Sequence, residues 1–240
     1  MNYTLIILGA IVIILLYVLY KYYFASNTLA KQLSLATTNS PIAISNQSNA
    51  QNFNYGLWLY VNSWDTNNTK LIFRDADSNA NAKLALFLEQ NSPTLDLFIR
   101  TTTSTTLINI TKNFPVQSWC YIAVNVNKNY VDCYLNGKLI KSVFLSNLPT
   151  FNVTQLTVGG GSNKVDGLDS GNAVAIGTSG TPQAFDATIT SFIRSPTIVS
   201  PQDVWNTYLA GNGMSGLIPA YGVNIDLTKN NQVANSYTII

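Results

Sequence analysis

Between residues 53 and 193 the sequence breaks into short apolar runs, each closed by small polar or turn-forming residues. They are FNYGLWLYV (53–61), KLIFR (70–74), KLALFLE (83–89), TLDLFIR (94–100) and TLINIT (106–111) in the first half. WCYIAVNV (119–126), YVDCYL (130–135), KLIKSVFL (138–145), TQLTVGG (154–160) and ATITSFI (187–193) follow. Several alternate apolar and polar residues, and many are separated by Asn, Ser, Asp or Gly, which predicts a sandwich of antiparallel sheets. Asn136-Gly137 between two runs predicts a two-residue type I′ turn, which needs positive φ at both positions. One helix interrupts the pattern at SPQDVWNTYLAGNG. Ser200 suits an N-cap, Pro201 the first helical position, and Asp203 sits three after the cap, with Gly211 or Gly213 able to end the helix. Val204, Trp205, Tyr208 and Leu209 are expected on its packing face.

Ahead of these runs lies TLIILGAIVIILLYVLYKYYF, residues 4–24. From Leu5 to Tyr20 it carries no charge and no proline. With Tyr3 and Thr4 it reaches about 18 residues, the length that crosses a hydrocarbon core. Tyr3 at one end and Tyr17, Tyr20, Tyr22 and Tyr23 at the other stand where aromatic rings settle at bilayer interfaces, and Lys21 can snorkel. The rival reading, a cleavable signal peptide, lacks a basic residue before the run and a clean small-x-small site before Phe24-Ala25-Ser26. The expectation is an uncleaved transmembrane helix holding the chain through residues 3–23. Lys21 and Lys31 follow the run and none precedes it, so the positive-inside bias places the C-terminal side in the cytosol.

The two cysteines, Cys120 and Cys133, fall in a strand-turn-strand segment bending at Lys128-Asn129. A tight bend sets Val124 opposite Cys133 and Cys120 opposite Gly137, which keeps the two alpha carbons beyond the roughly 7 Å that a disulfide spans. Two buried free thiols are expected, as in a reducing compartment. The sequons at Asn46, Asn67, Asn109 and Asn152 point the other way, but the chain holds 29 asparagines, and several sequons arise by chance at that density.

About 200 residues remain beyond the apolar stretch, enough for one large all-β domain. Charged residues are only 10% of the chain, and past residue 32 there are 11 basic and 11 acidic side chains, so nothing draws this chain to nucleic acid. SNTLAKQLSLATTNS (26–40) is a polar, small-residue connector expected to continue the anchor helix by a turn or two. The resulting division is an anchor at 1–24, a linker at 25–40, a domain at 41–213 and a C-terminal extension at 214–240.

The order WCYIAVNVNKNYVDCYLNGKLIKSVFL, then LTVGGG, then FDATITSFIRSPTIVSPQDVWNTYLAG resembles the C-terminal half of a laminin G-like domain of the concanavalin A-like lectin/glucanase superfamily. FNYGLWLYV and KLIFRD resemble its first core strands, and the match covers roughly residues 50–213. The resemblance implies a two-sheet antiparallel jelly roll, here preceded by a transmembrane helix. Such domains include glycosidases, glycan binders, calcium-dependent protein binders and structural modules, so the site must decide among them.

Glycosidases of this fold place paired carboxylates along one strand to flank the scissile bond. Glu89 is the single glutamate, with no carboxylate at strand spacing beside it. No histidine is present, which excludes His-based triads and His-ligated metals. No enzyme and no cofactor is therefore expected. Calcium is the remaining metal to weigh, because Asp75, Asp77, Asn79 and Asn81 offer oxygens at alternate positions in a loop after KLIFR. That loop lacks the glycine and the bidentate Glu of an EF-hand, and Asp, Ser and Asn are also ordinary turn residues. Asp166 and Asp169 form a weaker second cluster. For glycan stacking Trp64 is the exposed candidate, with Trp58 and Trp119 assigned to the core.

Two functional classes follow. The first is a membrane-tethered structural module that docks other proteins, similar to membrane-associated minor structural proteins of large DNA viruses, whose partners are capsid proteins at the virion inner membrane. The second is a surface lectin or adhesin binding glycans. The lysine bias and the absent disulfide favour the first. Alkaline carbonate extraction of membranes should leave the protein in the pellet with residues 3–23 intact, and a mature N-terminus near Ser26 would exclude the anchor.

Overall fold

The computed structural model describes residues 9, 11–16, 28–37, 39–44, 51–66, 69–78, 82–150, 153–159, 184–212, 224–229 and 232–238. Its first strands are β1 (Thr28–Ser34), β2 (Ile42–Ala43), β3 (Asn52–Val61), β4 (Lys70–Ala76), β5 (Ala82–Leu88), β6 (Leu95–Arg100) and β7 (Thr105–Thr111). Then come β8 (Cys120–Asn127), β9 (Tyr130–Leu135), β10 (Lys138–Phe144), β11 (Gln155–Val158), β12 (Ala187–Ser195), a helix (Pro201–Ala210), β13 (Asn224–Lys229) and β14 (Gln232–Thr238). Sheet one has the order β1-β12-β3-β8-β9-β10 and sheet two the order β2-β11-β4-β5-β6-β7, while β13 and β14 pair with each other. Every pairing is antiparallel. This is the two-sheet sandwich that the spacing of the apolar runs and the resemblance imply.

Period-2 alternation builds the core. Phe53, Tyr55, Leu57, Leu59 and Val61 of β3 and Cys120, Ile122, Val124 and Val126 of β8 face Phe73, Leu84, Leu86, Leu95, Leu97 and Ile99 of sheet two. β4 and β5 are buried along their whole length, because Leu71, Ala85, Phe87 and Phe98 form a second apolar cluster on the other face of sheet two. That explains why KLALFL reads as a continuous apolar run rather than an alternating one. The β8–β9 hairpin has the predicted register, with Val124 opposite Cys133. Both thiols are free and buried. Burial pushes both up, and with Asp132 beside it Cys133 reaches about 12.

A polar network bridges the sheets inside this core. The Tyr55 hydroxyl of β3 donates to Asp75 Oδ2 of β4 at 2.9 Å and accepts from Arg194 Nε of β12 at 3.0 Å, while Asp75 Oδ1 accepts from the Leu84 amide at 2.6 Å. Arg194 reaches this position because β12 bulges. Between Thr190, opposite Trp58, and Ile193, opposite Gly56, one extra residue is inserted, and Ser191 takes φ 50°. The bulge reverses the parity of the strand, so Ile189 and Phe192 both face the core.

On the outer face of sheet one, the helix docks through Val204 onto Trp58, Tyr121, Ala123 and Tyr134. Ser200 caps it, accepting from the Asp203 amide, and Gly211 ends it. Tyr208 stacks on Trp58 at 5.7 Å. Leu209 does not join the packing face and is 63% exposed. It stands five residues after Val204, about 140° round the helix, whereas Tyr208 at four residues falls back on the same side. The Asn136-Gly137 turn takes φ 50° and 78°, as a type I′ turn requires, and a Cβ on Gly137 would lie 2.6 Å from the Trp205 ring.

One expectation changes. The stretch 26–40 is not a helical continuation: Thr28–Ser34 forms β1, paired along β12, and Leu35 is fully buried in the main core. The extension 214–240 contains the β13–β14 hairpin. Of the apolar stretch, Gly9 and 11–16 are helical and the rest lies outside the described residues. Among the described residues no helix is long and apolar enough to cross a membrane.

Gly137→Ala combines a positive φ with contact against Trp205, and should cost about 1–3 kcal/mol in a urea titration. A loss near zero would show that the helix is not pinned at this turn. Burial raises the Asp75 carboxyl to about 6, against the opposing pull of Tyr55, Leu84, Arg194 and Lys83. The folded chain therefore holds this proton at higher pH than the unfolded chain does. The stability it contributes is complete below about 4 and is lost as pH rises to about 6. Asp75→Asn should flatten that fall in unfolding free energy between about pH 4 and 6, and an unchanged slope would exclude the assignment.

Candidate functional site

Strand parity decides where the predicted ligands lie. β4 runs through Asp75 to Ala76, so Asp75 is a strand residue facing inward and not part of a loop. Both its oxygens are engaged, by Tyr55 and by the Leu84 amide. Asp77 lies just past the strand, and its Oδ2 is 2.8 Å from Lys83 Nζ in a largely buried ion pair. The structure thus gives the two carboxylates different partners. Asn79, Asn81, Asp166 and Asp169 lie outside the described residues. Among the described residues no three acidic, Cys or His side chains gather into a metal-sized group.

Trp64 is half-buried rather than exposed, packed at the margin of the main core. Lys70 Nζ sits 4.2 Å from the centre of its ring. That ammonium also donates to the Asp65 carbonyl and lies 3.8 Å from Asp65 Oδ1. Burial lowers the Lys70 pKa, and Asp65 opposes the shift. One ring face is therefore already occupied by a cation. Trp58 is buried as expected, and Trp119 is half-buried against Tyr60 at 5.3 Å.

Glu89 is not isolated, because β6 brings Asp96 to it from across the hairpin. Burial raises Asp96 to about 6, the Asn109 amide lowers it, and the charge of Glu89 and a hydrogen bond to it raise it. Asn109 Nδ2 donates to Asp96 Oδ1 at 2.9 Å, and Ser92 Oγ donates to Glu89 Oε2 at 2.8 Å. Sequence reading missed this pair because it searched along one strand, whereas the partner lies on the adjacent one. The Asn109 sequon is part of β7, with its amide committed to Asp96. The acceptor asparagines of the other three sequons lie outside the described residues.

A shallow cavity of about 250 Å³ opens at the edge of sheet two, lined by Pro41, Ala43, Ser78, Thr154 and Gln155. Backbone bonds fix its walls, from the Ile44 amide to the Thr154 carbonyl at 3.0 Å and from the Thr154 amide to the Ala76 carbonyl at 2.8 Å. Ser78, Thr154 and Gln155 offer neutral hydrogen-bonding groups there. The volume falls below the roughly 300–1,000 Å³ of drug-sized ligand sites. The second surface feature is apolar. Tyr130 and Phe144 form an exposed edge-to-face pair 5.1 Å apart at one end of the β9–β10 ladder, and Leu139 and Ile140 are exposed towards its other end. Sequence reading assigned YVDCYL and KLIKSVFL to strands and did not separate these exposed residues from the core set.

A family model for laminin G domains, described as concanavalin A-like lectin/glucanases superfamily, matches residues 36–205. No curated protein matches the chain in sequence. Among solved structures, the receptor-binding domain of botulinum neurotoxin mosaic serotype C/D superposes with a TM-score of 0.52 at 14% identity, over 74% of this chain and 41% of that one. The binding domain of botulinum neurotoxin DC, in complex with rat synaptotagmin II, gives 0.50 at 14% identity over 70% of this chain and 38% of that one. A structure of botulinum neurotoxin type C, described as dependent on two ganglioside molecules to enter cells, gives 0.50 at 16% identity with the same coverage. The chain therefore spans about two fifths of the length of each, and at these identities the likeness is one of fold. The matched span begins just after the buried Leu35, ends within the helix docked on sheet one, and takes in strands of both sheets. The chain belongs to the concanavalin A-like lectin/glucanases superfamily.

Proposed function

We propose that this chain is a non-enzymatic docking module, held on a membrane by residues 3–23 with its sandwich on the cytosolic side. Its partners are other structural proteins. The finer reading is a minor capsid or membrane-associated virion protein of a large DNA virus, set between the inner membrane and the capsid, with no cofactor.

One observation carries the docking reading: much of the charge is turned inward. Asp75, Asp77, Asp96, Lys70, Lys83 and Arg194 are buried, and each is bonded within the fold. Among the described residues the exposed side chains are mostly neutral polar and apolar, with Lys31, Lys112, Lys128, Lys138, Lys141, Asp186 and Asp203 the exposed charges, which is the chemistry of a protein contact rather than of a charged substrate site. The lysines after the apolar stretch and the free thiols support a cytosolic side.

A second reading is a glycan-binding module. The polar cavity at Ser78, Thr154 and Gln155 favours it, as does the ganglioside dependence described for one structural neighbour. Asp75 and Asp77 would serve as calcium ligands only after giving up Tyr55, Leu84 and Lys83.

Docking through neutral contacts should weaken little between about 50 and 500 mM salt, since screening acts on charges that are scarce on this surface. The check is recovery of the full-length protein with its partners from purified source membranes or particles, across that salt range and in chelator. External protease should digest the sandwich in sealed vesicles that expose their cytosolic face. Calcium-dependent binding on a glycan array, lost in Asp77→Ala, would replace the docking reading with the second one.

A further inference from the structure

The ladders of sheet one place a row of residues at one end of the sandwich. Thr28, the first residue of β1, lies opposite Ile193 of β12, and the next residues of β12, Arg194 and Ser195, lie opposite Tyr55 and Asn54 of β3. Asn52 of β3 lies opposite Asn127 of β8, Asn127 opposite Tyr130 of β9, and Tyr130 opposite Phe144 of β10. The end at which the chain enters the domain from the apolar stretch is therefore the end that carries the Lys128-Asn129 turn. The β10–β11 connection joins it, because the Leu145 amide donates to the Asn129 carbonyl at 2.7 Å.

Exposed apolar side chains gather there. Phe144 is 64% exposed, Tyr130 55%, Ile198 45% and Leu148 37%, and Lys128 is exposed between β8 and β9. Ile198 belongs to this end because the Asn125 side chain bonds both the amide and the carbonyl of Val199. The opposite end holds Ser34, Val61, Cys120 and the Asn136-Gly137 turn.

We infer that this end, with Tyr130, Phe144, Leu148, Ile198 and Lys128, rests on the phospholipid surface of the bilayer that holds residues 3–23. The inference depends on that anchor. Four peptide steps separate Phe24 from Thr28, so Thr28 stays within about 14 Å of the end of the apolar stretch whatever path the chain takes. Tyr130 and Phe144 lie four and five strands further across the sheet, roughly 20–24 Å at the usual spacing. A tether that short presses one end of the sandwich to the lipid headgroups. Amphipathic and aromatic side chains partition into that zone, and a lysine places its ammonium among the phosphates. The aromatic pair thus acts as a second foot, which holds the domain upright and turns the opposite end, with Ser34, Val61, Cys120 and the Asn136-Gly137 turn, towards protein partners.

The test uses the full-length protein in phosphatidylcholine vesicles carrying a nitroxide-labelled phosphatidylcholine. A fluorophore is attached at Lys128→Cys or, as a control at the far end of β10, at Lys138→Cys. The native thiols are buried and do not compete for label. The expected result is flotation with the vesicles, with fluorescence quenched at 128 and unquenched at 138. Tyr130→Asp with Phe144→Asp should abolish the quenching at 128 without loss of flotation. Flotation with no quenching at 128, or with equal quenching at both sites, overturns this placement and leaves the anchor standing. Failure to float removes the anchor, and the placement with it.

Discussion

A carboxylate in the middle of an apolar sandwich sets the terms for the strands around it. Asp75 is buried, and leaving such a group without partners would cost several kcal/mol, so the phenol of β3 and the guanidinium of β12 must both arrive beside it. Each partner fixes a parity. Sliding β3 by one residue would turn Tyr55 out of the core. Arg194 depends on the Ser191 bulge, without which β12 would direct Ile193 and Ser195 inward. The network thus binds the registers of two strands in one sheet to a third in the other. Its pKa near 6 marks the free energy stored in keeping a charge there.

Much of the fold was legible because local chemistry and tertiary structure agree. FNYGLWLYV became β3, Asn136-Gly137 became a type I′ turn, and Ser200 with Asp203 capped the helix. β1 was hidden because TLAKQLS favours helix by propensity and has no β-branched residue after its first position. It is a strand only because β12 offers an unpaired edge, and tertiary pairing outweighs a propensity difference of tenths of a kcal/mol per residue. Asp75 was misplaced in a loop because its polarity resembled a turn residue, and sequence alone did not reveal the phenol and guanidinium awaiting it. Trp64 read as exposed among Asn, Ser and Asp, since Lys70, six residues on, folds over its ring only in three dimensions. Glu89 and Asp96 were separated by a hairpin that a search along one strand does not cross.

The distribution of surface follows from the same packing. The helix closes the outer face of sheet one over Trp58 and Tyr134, and the Leu71–Phe98 cluster is buried on the outer face of sheet two. With both broad faces largely occupied, the exposed large apolar side chains among the described residues of the domain lie in loops, at strand ends, on β10 and at Leu209 of the helix.

The margins of the sheets carry a further consequence. β10 bounds sheet one with Lys138 and Lys141 exposed and an irregular register between Leu139 and Lys141, and β1 bounds the other side with exposed Lys31 and a shift between Thr28 and Ala30. In sheet two, β2 offers only two residues, and β7 is out of step with β6 between Leu95 and Asp96. Such margins are poor templates for an added strand, because charges and bulges spoil the straight row of backbone groups on which a second chain would have to register. Many copies of this sandwich can therefore crowd against one another without zipping edge to edge into a continuous sheet.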